Sequence, residues 1–203
     1  MPEKMNDILY DKDIQEPLFE FLEERYGKIR ILEEKRIGSA RADCVMITPT
    51  LIYGIEIKSD ADTYARLAKQ VKNYDWYYDR NFIVVGSTHG LHVKEHVPDY
   101  WGIITVEPDE AGIDFYVLRE AEDNPKVKDK RKITILWRPE LNRILEKNGL
   151  PKYVRKSKKF VQEKILEKVE PEILWPQVYD ELLERDYTTI SDEIEAFRKR
   201  AIQ

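Results

Sequence analysis

Three residues with acid–base or charge-stabilising side chains, Asp43, Glu56 and Lys58, lie on two short apolar segments of this chain. Residues 52–58 (Ile-Tyr-Gly-Ile-Glu-Ile-Lys) alternate large apolar residues with small or polar ones, which is typical of a β-strand. Since side chains two residues apart share one face of a strand, Glu56 and Lys58 point the same way. A carboxylate and an ammonium group in an apolar strand are costly unless they pair or bind a ligand. This cost is the first indication of a functional site.

Asp43 belongs to a second apolar segment, which we expect to pair with the first. Residues 41–47 read as a strand, and Thr48-Pro-Thr50 has the composition of a turn, so the two strands predict an antiparallel hairpin. The hairpin brings Asp43 near Glu56. Two carboxylates suit a magnesium-type cation, which activates water and neutralises charge during phosphodiester hydrolysis. A surface ion pair and a turn aspartate are the alternative interpretations of the same residues.

The pattern Asp43…Glu56-Ile57-Lys58 resembles the PD-(D/E)XK nuclease superfamily. A longer string resembles a prokaryotic branch of it: Arg41-Ala-Asp, then Gly54-Ile-Glu-Ile-Lys-Ser-Asp60, then Gln70 and Tyr74. Ala42 stands where the superfamily's name has proline, at a position without a chemical role. The resemblance covers about residues 12–106. It implies that Asp43, Glu56 and the backbone carbonyl of Ile57 hold Mg²⁺ or Mn²⁺, and that Lys58 is catalytic.

The resemblance also implies roles for residues on two helices. Gln70 and Tyr74 would line the site from the second helix, Gln70 as a catalytic residue and Tyr74, with Arg66, as a contact to nucleic acid. A glutamate of the first helix, here Glu16, is a further candidate metal ligand, although its glutamate-rich surroundings equally fit a solvated side chain. A cation lowers the pKa of Lys58 and carboxylates raise it, so the sequence leaves open whether Lys58 is the general base.

The predicted elements follow an order that fits this resemblance. They are a helix at 11–26, strands at 29–37, 41–47 and 52–58, a helix at 63–78, and a strand at 82–85, with further strands at 102–106 and 114–118. The fold class expected is therefore α/β. Its core would be restriction-endonuclease-like, a central mixed sheet flanked by helices in the order αβββαβ, within a domain of residues 1–123.

The remaining residues, 124–203, predict an α-helical C-terminal region with a charged connection at 120–132. Helical patterns occur at 139–148, 157–169, 171–184 and 191–200. Residues 124–168 hold 15 Lys and Arg against 5 Asp and Glu, in a chain of net charge −5. The helices at 139–170 resemble a SAP-type module, which implies DNA-phosphate contacts by Lys156, Lys158 and Lys159. A solvated face explains the same charges, and both interpretations stay open.

These observations predict a Mg²⁺-dependent endonuclease, a hydrolase of phosphodiester bonds that acts on DNA in repair, restriction or defence. The alternatives are a non-catalytic DNA-binding protein and a nuclease subunit that a partner directs to its target. A homodimer would supply two sites for cutting both strands. One cysteine, Cys44, and the lack of a membrane-spanning run or signal-peptide pattern favour a cytoplasmic protein without a membrane partner.

Overall fold

The computed structural model describes residues 10–37, 40–59, 62–86, 90, 92–109 and 112–185, together with Ile194, Arg198 and Lys199. The chain divides into two compact units, Met1–Val127 and Lys128–Gln203. From the sequence we expected the boundary at 123/124. Asn124 belongs to the first unit because its side-chain amide donates hydrogen bonds to the carbonyls of Asp75 and Tyr78, each at 2.8 Å. The helix expected at 191–200 falls almost entirely outside the described residues.

The first unit is an α/β unit with one six-stranded sheet. Its elements are α1 (Asp11–Tyr26), β1 (Arg30–Ile37), β2 (Ala40–Ile47), β3 (Ile52–Lys58), α2 (Leu67–Tyr77), β4 (Arg80–Gly86), β5 (Gly102–Asp109) and β6 (Gly112–Arg119), with 3₁₀ turns at Tyr64–Arg66 and Val93–Glu95.

The sheet is mixed, and its strands lie in chain order from β1 to β6. Antiparallel pairs join β1 to β2, β2 to β3 and β5 to β6, whereas β3, β4 and β5 run parallel. The hairpin predicted from Thr48-Pro-Thr50 is present, with Cys44 opposite Ile55. Strands β3 and β4 can pair in parallel because α2 lies in the connection between them, as a parallel crossover requires.

The two faces of β3 have different environments. Helix α1 presents Ile14, Leu18 and Leu22 to a core that contains Ile55 and Ile57 of β3, and all five side chains are buried. On the opposite face lie Gly54 and Glu56, beside Tyr74 of α2 and Tyr78, the residue that follows this helix. The period-two alternation of β3 therefore separates an apolar face from a face that carries charge.

The second unit consists of helices: α3 (Asp129–Lys132), a 3₁₀ turn (Ile133–Ile135), α4 (Arg138–Lys147), α5 (Lys158–Lys168) and α6 (Pro171–Leu183). Its buried apolar residues include Leu141, Ile144, Val161, Ile165 and Val178. The connection expected at 120–132 is helical in its last four residues, and there Lys132 packs inward and donates a 2.8 Å hydrogen bond to the Tyr179 hydroxyl.

A buried ion pair crosses the second unit. The guanidinium group of Arg185 donates two hydrogen bonds to the Glu140 carboxylate, at 2.6 and 2.7 Å, and both side chains are fully buried. Arg185 also donates to the Ile135 carbonyl at 3.0 Å and lies over the Trp137 ring. The pair fixes the segment after α6 against the start of α4. Among the residues that the structure describes, no helix has both the length and the apolar character to cross a membrane.

Candidate active site

Glu56 is the centre of the charged face of the sheet. It lies on β3, between β2 and β4, and its side chain is fully buried. A buried carboxylate is unfavourable unless donors compensate for its lost hydration. Three side chains supply such donors. One is on β3 itself, and two are on α2.

The donors divide between the two carboxylate oxygens. The Lys58 ammonium group lies 2.5 Å from Oε1 of Glu56, and the side-chain amide of Gln70 donates to the same oxygen. The Tyr74 hydroxyl donates to Oε2 at 2.7 Å. The Lys58 side chain is 12% exposed, so the ion pair sits at the edge of the buried region. The structure thus brings Glu56, Lys58, Gln70 and Tyr74 together.

Asp43 is held on the neighbouring strand, beside the same cluster. Its Oδ2 accepts a 2.9 Å hydrogen bond from the backbone amide of Ile57, and its own amide donates to the Tyr74 hydroxyl at 3.2 Å. Tyr74 therefore contacts both strands that carry carboxylates. The sequence predicted the backbone carbonyl of Ile57 as a metal ligand, whereas the contact that the structure records for Ile57 is from its amide to Asp43.

Charge around Lys58 determines its protonation. Burial is the largest single effect and disfavours the ammonium form, but attraction to Glu56, their hydrogen bond, and the charges of Asp43 and Asp62 together raise its pKa above the ordinary value. Lys58 therefore stays protonated at neutral pH. For Tyr74, burial and the neighbouring Glu56 and Asp43 charges raise the pKa well above the ordinary value, so its hydroxyl remains a donor.

Gly54 allows the aromatic side chains of the second helix to approach the strand. A Cβ atom at this position would lie 2.2 Å from Cδ2 of Tyr78 and 2.6 Å from Cδ1 of Tyr74. Gly54 therefore leaves room on the charged face of β3, beside Glu56. The room is occupied by these two rings, and Tyr78 is a neighbour that the sequence prediction did not include. In the sequence, only the Gly54-x-Glu56 spacing indicates that a side chain packs here, and this spacing does not identify Tyr78 as that side chain.

Glu16 and Arg66, two predicted site residues, lie elsewhere, and Tyr74 has a different contact from the one expected. Glu16 is exposed on α1, the helix that packs on the face of β3 opposite Glu56. Arg66 is exposed in the 3₁₀ turn before α2. Tyr74, predicted as a contact to nucleic acid, is fully buried, so here its hydroxyl holds Glu56 instead of reaching a phosphate.

The three predicted DNA-binding lysines belong to the second unit, where their contacts differ. The Lys158 ammonium group donates to the Thr134 carbonyl at 3.1 Å, and burial lowers its pKa. The Lys156 ammonium group lies 5.3 Å from the centre of the Phe160 ring. The Lys159 side chain is 85% exposed, and its ammonium group is 4.0 Å from the Glu163 carboxylate.

The site offers oxygen atoms for a metal ion, although they are few. Within the described part of the chain, no group of three His, Cys, Asp or Glu side chains is arranged to hold one. Asp43 and Glu56 supply two carboxylates. Next to them, the Gln70 side-chain oxygen is buried and has no hydrogen-bond partner in the part of the chain that the structure describes. Reversing this amide would place an oxygen against Glu56, so the unpaired atom is the oxygen.

Comparison with known proteins gives one family. The chain matches the family described as bacteriophage P4 protein cII over residues 4–203, and it belongs to that family. Among curated proteins, none matches the chain. The chain is also similar to the solved structure of Pyrococcus furiosus SfsA in complex with Ca²⁺, with 15% identity and a TM-score of 0.36, over 60% of this chain and 67% of that one. A likeness of this size supports no inference.

Proposed function

We propose that this protein is a metal-dependent nuclease that hydrolyses phosphodiester bonds in DNA, in an endonucleolytic mode, with Mg²⁺ or Mn²⁺ as its cofactor. The observation that carries the proposal is the buried Glu56 carboxylate, with Lys58 on the same face of β3 and Asp43 held beside β3 by the Ile57 amide. A carboxylate pair and a cationic side chain on one face of the sheet are the groups that this chemistry requires.

The restriction-endonuclease-like core is part of the same proposal. The observed chain order is one helix, three strands, one helix and one strand, from α1 to β4. This is the order expected for that core, and it supports the assignment. The strands β5 and β6 then extend the sheet at the edge remote from the Asp43–Glu56 pair.

The residues present fit a hard divalent cation. Such ions favour oxygen ligands, and Mg²⁺ is commonly bound by one or two carboxylates while it keeps several waters. Asp43 and Glu56 would hold it, and the unpaired Gln70 oxygen could accept a hydrogen bond from a water in its shell. When bound, the cation supplies the activation of water and the neutralisation of charge on the phosphate.

Lys58 would act as a fixed positive charge. Its ammonium group, next to the Glu56 carboxylate, is suited to stabilise negative charge that develops on the phosphate. Gln70 and Tyr74 are positioning residues in this proposal, since each donates a hydrogen bond to Glu56 and so fixes the orientation of its carboxylate.

The test is cleavage of linear and circular DNA by the purified full chain, with Mg²⁺ or Mn²⁺ and with chelator, and with RNA as a parallel substrate. We expect metal-dependent cutting of circular DNA, which requires an endonuclease. Lys58→Ala should abolish it, whereas Lys72→Ala, which removes an exposed lysine from the same region, should leave it unchanged. Absence of cutting by the wild-type protein, with no metal binding in calorimetry, would overturn the proposal.

A second candidate function is a non-catalytic DNA-binding protein. The observation that favours it is that both Glu56 oxygens already have donors, so the cluster is satisfied without a metal. Metal binding distinguishes a nuclease from a non-catalytic protein. A nuclease should bind Mg²⁺ or Mn²⁺ and should lose this binding in Glu56→Gln. A protein whose cluster is purely structural should bind neither ion.

A further inference from the structure

The second unit contains an open groove of about 530 Å³ between two elements. One wall is formed by α3 and the following 3₁₀ turn, and the other by α5. Lys130 and Arg131 lie on the first wall and Lys159 on the second, and all three are exposed. The apolar side chains of Ile133 and Leu166 line the space between them. The groove therefore combines an apolar lining with cations on both sides.

The charge balance of this groove is positive. Against its three cations stands one carboxylate, Glu163, which lies 4.0 Å from the Lys159 ammonium group on the solvent-exposed side of α5. An exposed pair at this distance is screened by water and contributes little. An anionic ligand can therefore compete with Glu163 for Lys159. Cations on two facing walls fit a chain of phosphates that passes between them.

A second observation points to a ligand. Gln162 also lines the groove; the residue is 7% exposed, and its side-chain amide nitrogen has no hydrogen-bond partner among the described residues. A buried polar group without a partner costs about 1–3 kcal/mol. An amide nitrogen is a donor, so the partner that would satisfy it is an acceptor such as a phosphate oxygen.

We propose that this groove binds the phosphate backbone of a nucleic-acid strand, through Lys130, Arg131, Lys159 and the Gln162 amide. This inference rests on the proposed function in one respect, namely that the ligand is a nucleic acid. It differs from the contact expected from the SAP-type resemblance, because Lys158 is engaged by Thr134 and Lys156 lies over the Phe160 ring. Of those three lysines, Lys159 alone lines the groove.

The experiment measures binding of a short labelled single-stranded DNA to the full chain in chelator, by fluorescence anisotropy at several salt concentrations. The double variant Lys130→Gln/Lys159→Gln removes two phosphate contacts. We expect its affinity to fall roughly tenfold at physiological salt, and the slope of log affinity against log salt to decrease in magnitude by about 1.4. The matched control is Lys152→Gln/Lys168→Gln, which removes the same charge from exposed positions outside the groove.

A second variant tests the buried donor. Gln162→Met keeps the approximate shape of the side chain and removes its amide, so it should weaken binding without changing the salt slope. Thermal melting identifies any variant that fails to fold. Equal affinities for the groove variants and the control would overturn the proposal, as would displacement of the DNA by a free deoxynucleoside monophosphate at comparable concentration.

The design separates this inference from the nuclease proposal. Binding is measured without metal, so a groove that binds DNA in a protein that never cuts it would leave the inference standing and the nuclease proposal overturned. Metal-dependent cutting, together with unaltered DNA binding in the groove variants, would leave the nuclease proposal standing and overturn this inference.

Discussion

The hydroxyl group of Tyr74 lies 2.7 Å from Oε2 of Glu56, and both side chains are fully buried. The same hydroxyl accepts a hydrogen bond from the Asp43 amide at 3.2 Å. One phenol group on α2 thus connects the two strands that carry the carboxylates. The candidate site is therefore coupled to the packing of a helix against the sheet, and changes in that packing should alter it.

Removing the Tyr74 hydroxyl should affect both stability and activity. Tyr74→Phe deletes a donor to a buried carboxylate, so we expect a loss of about 1.5–3 kcal/mol in the free energy of unfolding and reduced DNA cleavage. The matched control is Tyr78→Phe, because the neighbouring Tyr78 hydroxyl is buried and finds no hydrogen-bond partner among the residues described. The control should retain its stability and activity in chemical denaturation and cleavage assays; equal losses in both variants would contradict this account of Tyr74.

The Glu56–Lys58 pair should behave as a buried ion pair. Lys58→Met leaves a carboxylate without its counter-charge, and we expect a destabilisation of about 3–5 kcal/mol. Adding Glu56→Gln removes the unpaired charge, so the double variant should recover much of the stability while it remains inactive. Urea unfolding of both variants measures the difference. If the double variant were no more stable than Lys58→Met, the pair would not be coupled in the folded protein.

Gly54 should be intolerant of a side chain for steric reasons. In Gly54→Ala the new Cβ atom collides with the rings of Tyr78 and Tyr74, so the helix must move away from β3. We expect a loss of about 1–3 kcal/mol together with reduced cleavage, since Tyr74 is displaced from Glu56.

Gly149→Ala is the comparison for Gly54. Gly149 has a φ of +64°, and a Cβ there meets no atom within 4 Å, so only backbone strain of about 1–2 kcal/mol arises. Its stability should fall in thermal melts, whereas cleavage should not change. A loss of cleavage in Gly149→Ala as large as that in Gly54→Ala would show that the effect is general destabilisation.

Alkaline pH should weaken the first unit. Burial raises the pKa of Cys44 well above its ordinary 9.0, and burial likewise raises the pKa of Tyr78 well above 10.0. When a folded-state pKa is raised, the unfolded chain loses its proton first, so stability is complete below the ordinary pKa and falls as the pH rises above it. We expect the denaturation midpoint to decrease above about pH 9.

Thiol labelling checks the Cys44 part of this prediction. The native protein should react slowly with a thiolate-selective reagent at pH 9, because Cys44 is fully buried and protonated. The denatured protein, as the control, should react at once. Rapid labelling of the native protein would mean that β2 is accessible.

The sequence by itself determined where the charges of β3 lie. Because side chains alternate along a strand, Glu56 and Lys58 had to share a face, and Ile55 and Ile57 had to face a core. The turn at Thr48-Pro-Thr50 likewise predicted the hairpin that places Asp43 next to β3. These are local properties, and a few consecutive residues are enough to fix them.

The tertiary structure decided which distant residues complete the site. The four-residue spacing of Gln70 and Tyr74 places them on the same side of α2. Only the packing of that helix against β3 at Gly54 makes Tyr74 a buried hydrogen-bond donor instead of a surface contact. Glu140 and Arg185, 45 residues apart, could be paired only by the fold. Contacts between distant segments depend on how elements pack, and no local pattern encodes that geometry.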